Sequence, residues 1–245
     1  QRATILRNGR VVGTVDLAET PERDLLRLMT GEDLVLERRG RSRPMSRPVR
    51  LRVEGLRVAG CLDEISLEAR AGEVVGLGGL QGQGQSDLLR ALFGDLPHAA
   101  GRVEIDGKPV RLGQPADAIR HGMVLVPGNR GQEGLFMIRS VLENITLPSL
   151  AHRSWAGWLS LQRERNAARH MLNRLQVKVG SLDDSVATLS GGNQQKVVVG
   201  KWLLTEPKIL LLDDPTKGVD IQARNELYRV VEDLRDAGLV VILNS

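Results

Sequence analysis

Three short stretches of this chain carry residue types and spacings that suit nucleoside triphosphate chemistry. Gly79-Leu80-Gln81-Gly82-Gln83-Gly84-Gln85-Ser86 follows the apolar run Val74-Val75-Gly76-Leu77. Its glycines let the backbone curl so that successive N–H groups face phosphate oxygens, and Ser86 stands where a hydroxyl reaches magnesium. Leu189-Ser190-Gly191-Gly192-Asn193-Gln194-Gln195-Lys196 places a serine and two glycines where a helix can begin. A helix start turns its unpaired N–H groups toward an anion. Ile209-Leu210-Leu211-Leu212 then runs straight into Asp213-Asp214. It reads as a buried strand that ends in a magnesium-binding acid, Asp213, and a candidate base for the attacking water, Asp214.

Each signal has a plainer reading. A glycine-rich turn can bind nothing, and two strand-end acids can simply cap the next helix. The dinucleotide fingerprint does not apply, because no G-x-G-x-x-G register fits Gly76 through Gly84. The phosphate-loop pattern fits at every defined position but one: Gln85 occupies the lysine position. An amide donates a hydrogen bond but carries no charge. A charged hydrogen bond contributes roughly 1.5–3 kcal/mol, so its loss weakens triphosphate binding by about 10- to 100-fold. It also removes positive charge where charge develops in phosphoryl transfer.

The elements that must hold these stretches are legible as patterns. Thr4-Ile5-Leu6 and Val11-Val12-Gly13 flank Asn8-Gly9, which predicts a hairpin over 3–15. Thr20 and Pro21 open a short helix that runs to Met29, with Gly31 as its stop. Leu51 to Glu54 and Ile65 to Ala69 alternate like antiparallel strands. Leu88, Leu89, Leu92 and Phe93 recur at helical spacing and Gly94 closes that helix. A hairpin is expected at Val103 to Gly107 and a buried strand at Met123 to Pro127. Helices are expected over 160–175, from Gly192 toward Leu204, and from Arg224 to Arg235. Continuous apolar strands at Ile209–Leu212 and Leu239–Leu243, alternating with helices, predict a parallel sheet covered on both faces.

Composition sets the class. The chain has 245 residues, a core of aliphatic residues and few aromatics. A single Cys61 excludes an internal disulfide and fits a reducing compartment. No apolar run nears the ~20 residues of a membrane span and no signal peptide opens the chain, so a cytosolic or membrane-peripheral protein is expected. The net charge is +4, but seven arginines between Arg38 and Arg52 more than account for it. With Pro44, Ser46 and Pro48 that stretch reads as a solvated linker, or as a contact with lipid, RNA or another subunit. His98, His121, His152 and His170 have no metal-ligand spacing. Trp155 and Trp158 are read as packing residues rather than a ligand platform.

Leu189 to Gln195 resembles the signature motif of ABC-type ATPases, Ile209 to Asp214 their Walker B strand, and Lys217 to Asp220 their D-loop. The wording Leu189 to Lys196, with Pro215 to Asp220, is similar to the monosaccharide-importer ATPases, in which two ATP-binding domains are fused. The resemblance covers Val49 to Ser245. It implies an α/β P-loop NTPase fold of the ABC type, with a mixed sheet core, antiparallel strands at its N-terminal side and a helical signature subdomain. It implies that residues 1–37 are the tail of a first domain, 38–48 a linker and 49–245 a second domain whose switch region and closing helices follow Ser245. By this resemblance ATP and magnesium are the cofactors. Gly79, Gln81, Gly82, Gln83, Gly84, Gln85, Ser86 and Asp87 are the nucleotide-binding residues, Ser86 and Asp213 hold magnesium, and Leu189, Ser190, Gly191, Gly192, Asn193 and Gln194 form the signature. Asp220 is the D-loop acid and Asp214 the candidate base.

Departures accompany the match. Second domains of this group often lack the lysine, as Gln85 does here. Asp214 replaces a glutamate, and about 1 Å of misplacement can cost about 10²-fold. Gly128, in Val126-Pro127-Gly128-Asn129-Arg130, stands where relatives carry Gln or Glu. No aromatic lies between Val49 and Gln85 to stack on adenine. In this family each nucleotide is held between one domain's phosphate loop and the other's signature. The departures fall on this domain's own loop, while its signature is complete. The resemblance therefore implies an asymmetric pair that imports sugar at the cytoplasmic face of a bacterial inner membrane. Its partners would be the first domain, membrane permease subunits and, indirectly, a periplasmic sugar-binding protein, with no specific nucleic acid. Asn129 through Ser140 would face the permease, with Phe136, Met137 and Ile138 either docking a partner helix or packing in the core. A non-transport ABC ATPase acting on nucleic acid or ribosomes, and a structural module that hydrolyses nothing, are the alternatives.

Overall fold

A computed structural model of the chain describes residues 2–7, 10–16, 20, 21, 24, 28, 47–80, 82–98, 100–154 and 158–244. The chain forms two compact units, Gln1–Arg43 and Pro44–Ser245. In the first, β1 (Arg2–Arg7) and β2 (Arg10–Asp16) pair antiparallel, as the alternation over 3–15 requires. Asp24 and Leu28 are helical. Most of the helix expected from Pro21 to Met29, its stop at Gly31 and the arginine stretch up to Ser46 lie outside the described residues.

The second unit is built on two sheets, each four-stranded. One is antiparallel, in the order β4-β3-β6-β7, from β3 (Val49–Val58), β4 (Leu62–Arg70), β6 (Ala100–Ile105) and β7 (Lys108–Val110). The other is parallel, in the order β5-β10-β9-β8, from β5 (Val74–Leu77), β8 (Met123–Val126), β9 (Ile209–Asp213) and β10 (Val240–Asn244). The two strand types are thus segregated into separate sheets. The arginines at the start of this unit are used in the sheet. Arg52 Nε meets Glu68 Oε1 at 2.7 Å, and Arg50 Nη1 donates to the Gly238 carbonyl at 2.9 Å.

The parallel strands are apolar throughout because both faces are covered. Met123, Leu125, Ile209, Leu211, Val240 and Ile242 pack with the antiparallel sheet and with helix α1 (Gln85–Phe93). Val124, Val126, Leu210, Leu212 and Val241 face the other way, into a cluster with Ile145, Met171, Val197 and Leu227. Those residues lie on α3 (Val141–Thr146), α5 (Leu161–Arg174), α6 (Gly191–Leu203) and α7 (Ile221–Asp236). Successive side chains on a strand point to opposite faces, so a five-residue strand such as β9 serves both halves of the core. The approach of α6 to its neighbours is close: a Cβ at Gly200 would lie 3.0 Å from Leu175 and 3.2 Å from Ile145 and Met171.

Several short elements carry no sequence pattern strong enough to announce them. They are α2 (Pro115–Arg120), α4 (Leu150–Arg153) and a π-helical turn at Arg130–Gly134. α3 starts on a capping box. Ser140 Oγ accepts from Glu143 N at 3.2 Å, and Ser140 N donates to Glu143 Oε2 at 2.8 Å.

Lys201 of α6 reaches inward. Its ammonium lies 5.2 Å from the Trp202 ring centre and donates to the Gly134 carbonyl. Burial pushes its pKa down from 10.5 to about 8. Below that value the folded and unfolded chains both hold the proton, and the fold bears the full cost of the buried charge. From about pH 8 to 10.5 the folded lysine is neutral while the unfolded one still binds a proton, so stability rises with pH. Lys201→Met removes this slope. The difference in unfolding free energy between variant and wild type is expected to shift by up to about 3 kcal/mol between pH 7 and pH 10.5. A difference that stays constant across that range would show that the site bears no such cost.

Candidate functional site

The glycine loop joins β5 to α1 at the carboxyl end of the parallel sheet, where open α/β sheets bind ligands. Gly82 and Gly84 have φ of 83° and 95°, the left-handed backbone that glycine takes without strain. Gly84 is the residue before α1, so the first-turn N–H groups, beside Ser86 and Asp87, point along the loop. The Gln85 amide Nε2 donates to the Leu80 carbonyl of the same loop at 3.3 Å, and a Cβ at Gly79 would stand 2.2 Å from it. The side chain at the lysine position is therefore tied back to its own loop. Gln81 lies outside the described residues. Gln83 sits in the loop, where its N–H donates to the Leu80 carbonyl at 3.3 Å.

Ser86 and the acid-ended strand meet across 127 positions of sequence. Ser86 Oγ donates to Asp213 Oδ1 at 2.7 Å. Asn244, at the end of the neighbouring strand β10, donates from Nδ2 to the same oxygen at 2.8 Å and approaches Ser86 Oγ at 3.3 Å. A hydroxyl and a carboxylate are the hard oxygen donors that magnesium prefers. Their spacing suits two neighbouring corners of an octahedral ion, about 2.9 Å apart for metal–oxygen bonds of about 2.1 Å. No cluster of three or more His, Cys, Asp or Glu suited to a metal occurs among the described residues. An ion held here thus needs the remaining oxygens of a phosphate ligand and water. Asp214 follows with φ of 40°, pinned by its N–H to the Asn244 carbonyl at 2.8 Å.

These groups line one cleft of about 550 Å³, together with Arg90, Gly128, Glu133 and Lys217. Arg90 Nη2 is paired with Glu133 Oε1 at 2.9 Å. Gly128 closes the wall by absence. A Cβ there would lie 3.1 Å from the Asp213 carbonyl and 3.9 Å from Asp214 Cβ. Asn244 and Arg90 have no counterpart in the sequence reading, which put Lys217 in the D-loop and Glu133 in the stretch expected to face a permease. For Asn244 the available signal was a polar residue closing the apolar run Val240 to Leu243.

The signature residues do not line this cleft. Ser190 precedes α6 in extended backbone and is exposed, and its side chain does not cap the first turn. Instead Ser190 Oγ accepts from Asn193 Nδ2 at 3.0 Å, while Asn193 Oδ1 accepts from Lys178 N at 3.0 Å. Gly191 and Gly192 open α6, where the first-turn N–H groups have no partner within the helix. Leu189 packs against the core, and Gln194 Nε2 donates to the Val186 carbonyl at 3.3 Å. Gly192 must be small, since a Cβ there would stand 2.5 Å from Ala223 Cβ on α7. Asp220 caps α7, its Oδ1 accepting from Ala223 N at 2.9 Å.

A second cleft lies beside α3. Phe136, Leu142, Leu147, Leu150, Leu159 and Leu161 line a largely apolar groove, with Arg139, Glu143 and Glu164 also along it. Phe136 is 57% and Ile138 91% exposed, whereas Met137 packs on the core. The three apolar residues expected to act together are thus divided between surface and interior. Asn144, 3% exposed, holds the segment: it accepts from Phe136 N at 2.8 Å and donates to the Phe136 and Ser140 carbonyls. Trp158 is exposed, and Trp155 lies outside the described residues. No helix among the described residues is long and apolar enough to cross a membrane.

The glycine loop after one parallel strand and the acids ending another, backed by an antiparallel sheet, define a P-loop nucleotide-binding cassette. The chain belongs to the ABC transporter family, which residues 62–217 match. It is similar to the ribose import ATP-binding protein RbsA of Geobacillus kaustophilus, at 41% identity over all of this chain and 49% of that protein. It is similar also to RbsA 2 of Streptomyces coelicolor, at 42% identity over all of this chain and 47% of that protein. The chain thus spans about half the length of these curated relatives. Among solved structures it resembles MJ1267 in its ADP conformation, an ATP-binding cassette of an ABC transporter. The TM-score is 0.66 and the identity 24%, over 81% of each chain. CbiO1 of Clostridium perfringens, part of the transporter complex cbiONQ, gives 0.66 at 23% identity.

Proposed function

We propose that this chain is the second of two ATP-binding cassettes in one subunit of a bacterial sugar importer, with residues 49–245 as the cassette. ATP binding and hydrolysis in the paired cassettes drive a membrane permease between orientations. The observation that carries this reading is the split of the nucleotide machinery. The phosphate loop, Ser86, Asp213 and Asp214 share one cleft, while the complete signature at Ser190 to Gly192 does not line it. A signature that does not serve its own cleft serves a nucleotide held by another cassette.

Within its own cleft Gly79, Gly82, Gly84 and the start of α1 cradle the phosphates, and Ser86 and Asp213 hold magnesium. Magnesium held by Ser86 and Asp213 would supply positive charge against the phosphates. Asp87 lies in the first turn of α1, and Asp214 is positioned to polarise water. With Gln85 tied to Leu80 and no lysine charge, this cleft turns over ATP slowly or not at all, and the partner cleft carries the flux. The likeness to ribose importers supports ribose or a related monosaccharide as cargo, delivered by a periplasmic binding protein. The groove beside Phe136 and Leu142 supports docking of a short permease helix on the cytoplasmic face.

The reading is tested by reconstituting the whole subunit with its permease in proteoliposomes. ATP-dependent uptake of labelled ribose, and ATPase stimulated by the sugar-loaded binding protein, are expected. ATPase that ignores the binding protein but responds to RNA or ribosomes would overturn it in favour of a non-transport ATPase.

A further inference from the structure

One cation stands at the signature rather than at the phosphate loop. Arg130 opens the π-helical turn that follows Gly128, and its guanidinium reaches two other segments of the chain. Its Nε donates to Gln194 Oε1 at 3.3 Å, on the first turn of α6. Its Nη1 donates to the Lys217 carbonyl at 2.9 Å and its Nη2 to the Gly218 carbonyl at 3.4 Å. The fit against the signature is tight, since a Cβ at Gly191 would come within 2.7 Å of Arg130 Nη2. All these acceptors are neutral, so they leave the guanidinium charge unpaired beside the start of α6.

The same turn borders this domain's own cleft. Asn129 and Glu133 line it, and Glu133 holds Arg90 there. Asn129 is locked to the turn through Gln132, whose side chain accepts from Asn129 Nδ2 at 2.9 Å. One turn thus carries a wall of the cleft on one side and the brace of the signature on the other.

We infer that Arg130 is a positioning residue for the signature. It fixes Ser190 to Gln194 and Lys217 to Gly218 as one surface, in register with the wall of the domain's own cleft. A planar fork suits three acceptors in different directions, and a lysine ammonium does not reproduce it. The inference rests on the reading that this signature completes a site on a partner cassette. It adds that the geometry of the signature is set from the turn next to Gly128.

The test uses the whole two-cassette subunit with its permease, comparing wild type, Arg130→Ala, Arg130→Lys and Ser190→Arg. Steady-state ATPase, binding of a fluorescent ATP analogue and the thermal midpoint are measured on each. Arg130→Ala is expected to lower kcat by about 10-fold or more, because donors that meet the nucleotide only on closure are no longer aligned. Analogue affinity stays within about two-fold, since the open phosphate loop of the partner is untouched. The thermal midpoint is unchanged. Arg130→Lys recovers part of the rate. Wild-type kcat in Arg130→Ala alongside an inactive Ser190→Arg overturns the inference and leaves the reading of the signature standing. Full activity in Ser190→Arg overturns that reading itself. A fall in thermal midpoint that accounts for the lost rate reduces Arg130 to a structural brace and overturns the inference as well.

Discussion

Replacing Ser190 by arginine is expected to cut ATP turnover of the whole subunit by about 100-fold or more, the scale of losing a donor aimed at developing charge. Ser190 is exposed and its backbone already leads into α6, so the substitution leaves the fold in place. What changes is the surface offered to phosphate. A long cationic side chain crowds the N–H groups of Gly191 and Gly192, and it sets positive charge against the positive end of the helix. Asp214→Asn is the matched comparison, because it removes the candidate base of this domain's own cleft. If flux runs through the partner site, that variant keeps most of the wild-type rate. Equal and complete losses in both variants would mean two sites of similar weight, and would remove the asymmetry from the proposed function.

Arg153→Ala is expected to be the most destabilising single change on the groove side, at about 3–5 kcal/mol. Arg153 meets Glu164 through two bonds, Nε to Oε1 at 2.8 Å and Nη2 to Oε2 at 2.7 Å, and Nη2 also donates to the Thr146 carbonyl at 3.2 Å. The Glu164 side chain is only 7% exposed. Truncating the arginine strands a buried carboxylate and frees the end of α3 from the start of α5. Urea unfolding should show a lower midpoint. The double variant Arg153→Met/Glu164→Met should recover most of the loss, because two apolar chains of similar volume leave no buried charge. A double variant as unstable as Arg153→Ala would place the cost in packing rather than in the orphaned charge.

What could be read from the sequence was whatever is written in consecutive residues. Ile209 to Leu212 has the length and unbroken apolarity of a strand covered on both faces, and it lies at the centre of the parallel sheet. The glycines from 79 to 84, with Ser86 at the right offset, are the pattern from which a phosphate cradle is expected. The roles of Asn144 and Arg130 could not be found that way. Their importance lies in bonds to backbone or side-chain groups that only the fold brings near, such as Arg130 to a carbonyl 87 positions away. The π-helical turn was equally silent, since its run Arg130-Gly131-Gln132-Glu133-Gly134 has no periodicity to betray it. The segregation of strands into two sheets also escaped the local pattern, because alternation reports which faces are buried and not which sheet a strand joins.

Gly128 has a consequence for how this cassette can change over generations. Its hydrogen stands where any side chain would begin 3.1 Å from the Asp213 carbonyl. A side chain at 128 therefore needs the Asp213 carbonyl to give by a few tenths of an ångström. In the proposed asymmetric pair, the residue at 128 and the position of the Asp213 carbonyl are therefore coupled, so the wall of the cleft and its acid change together.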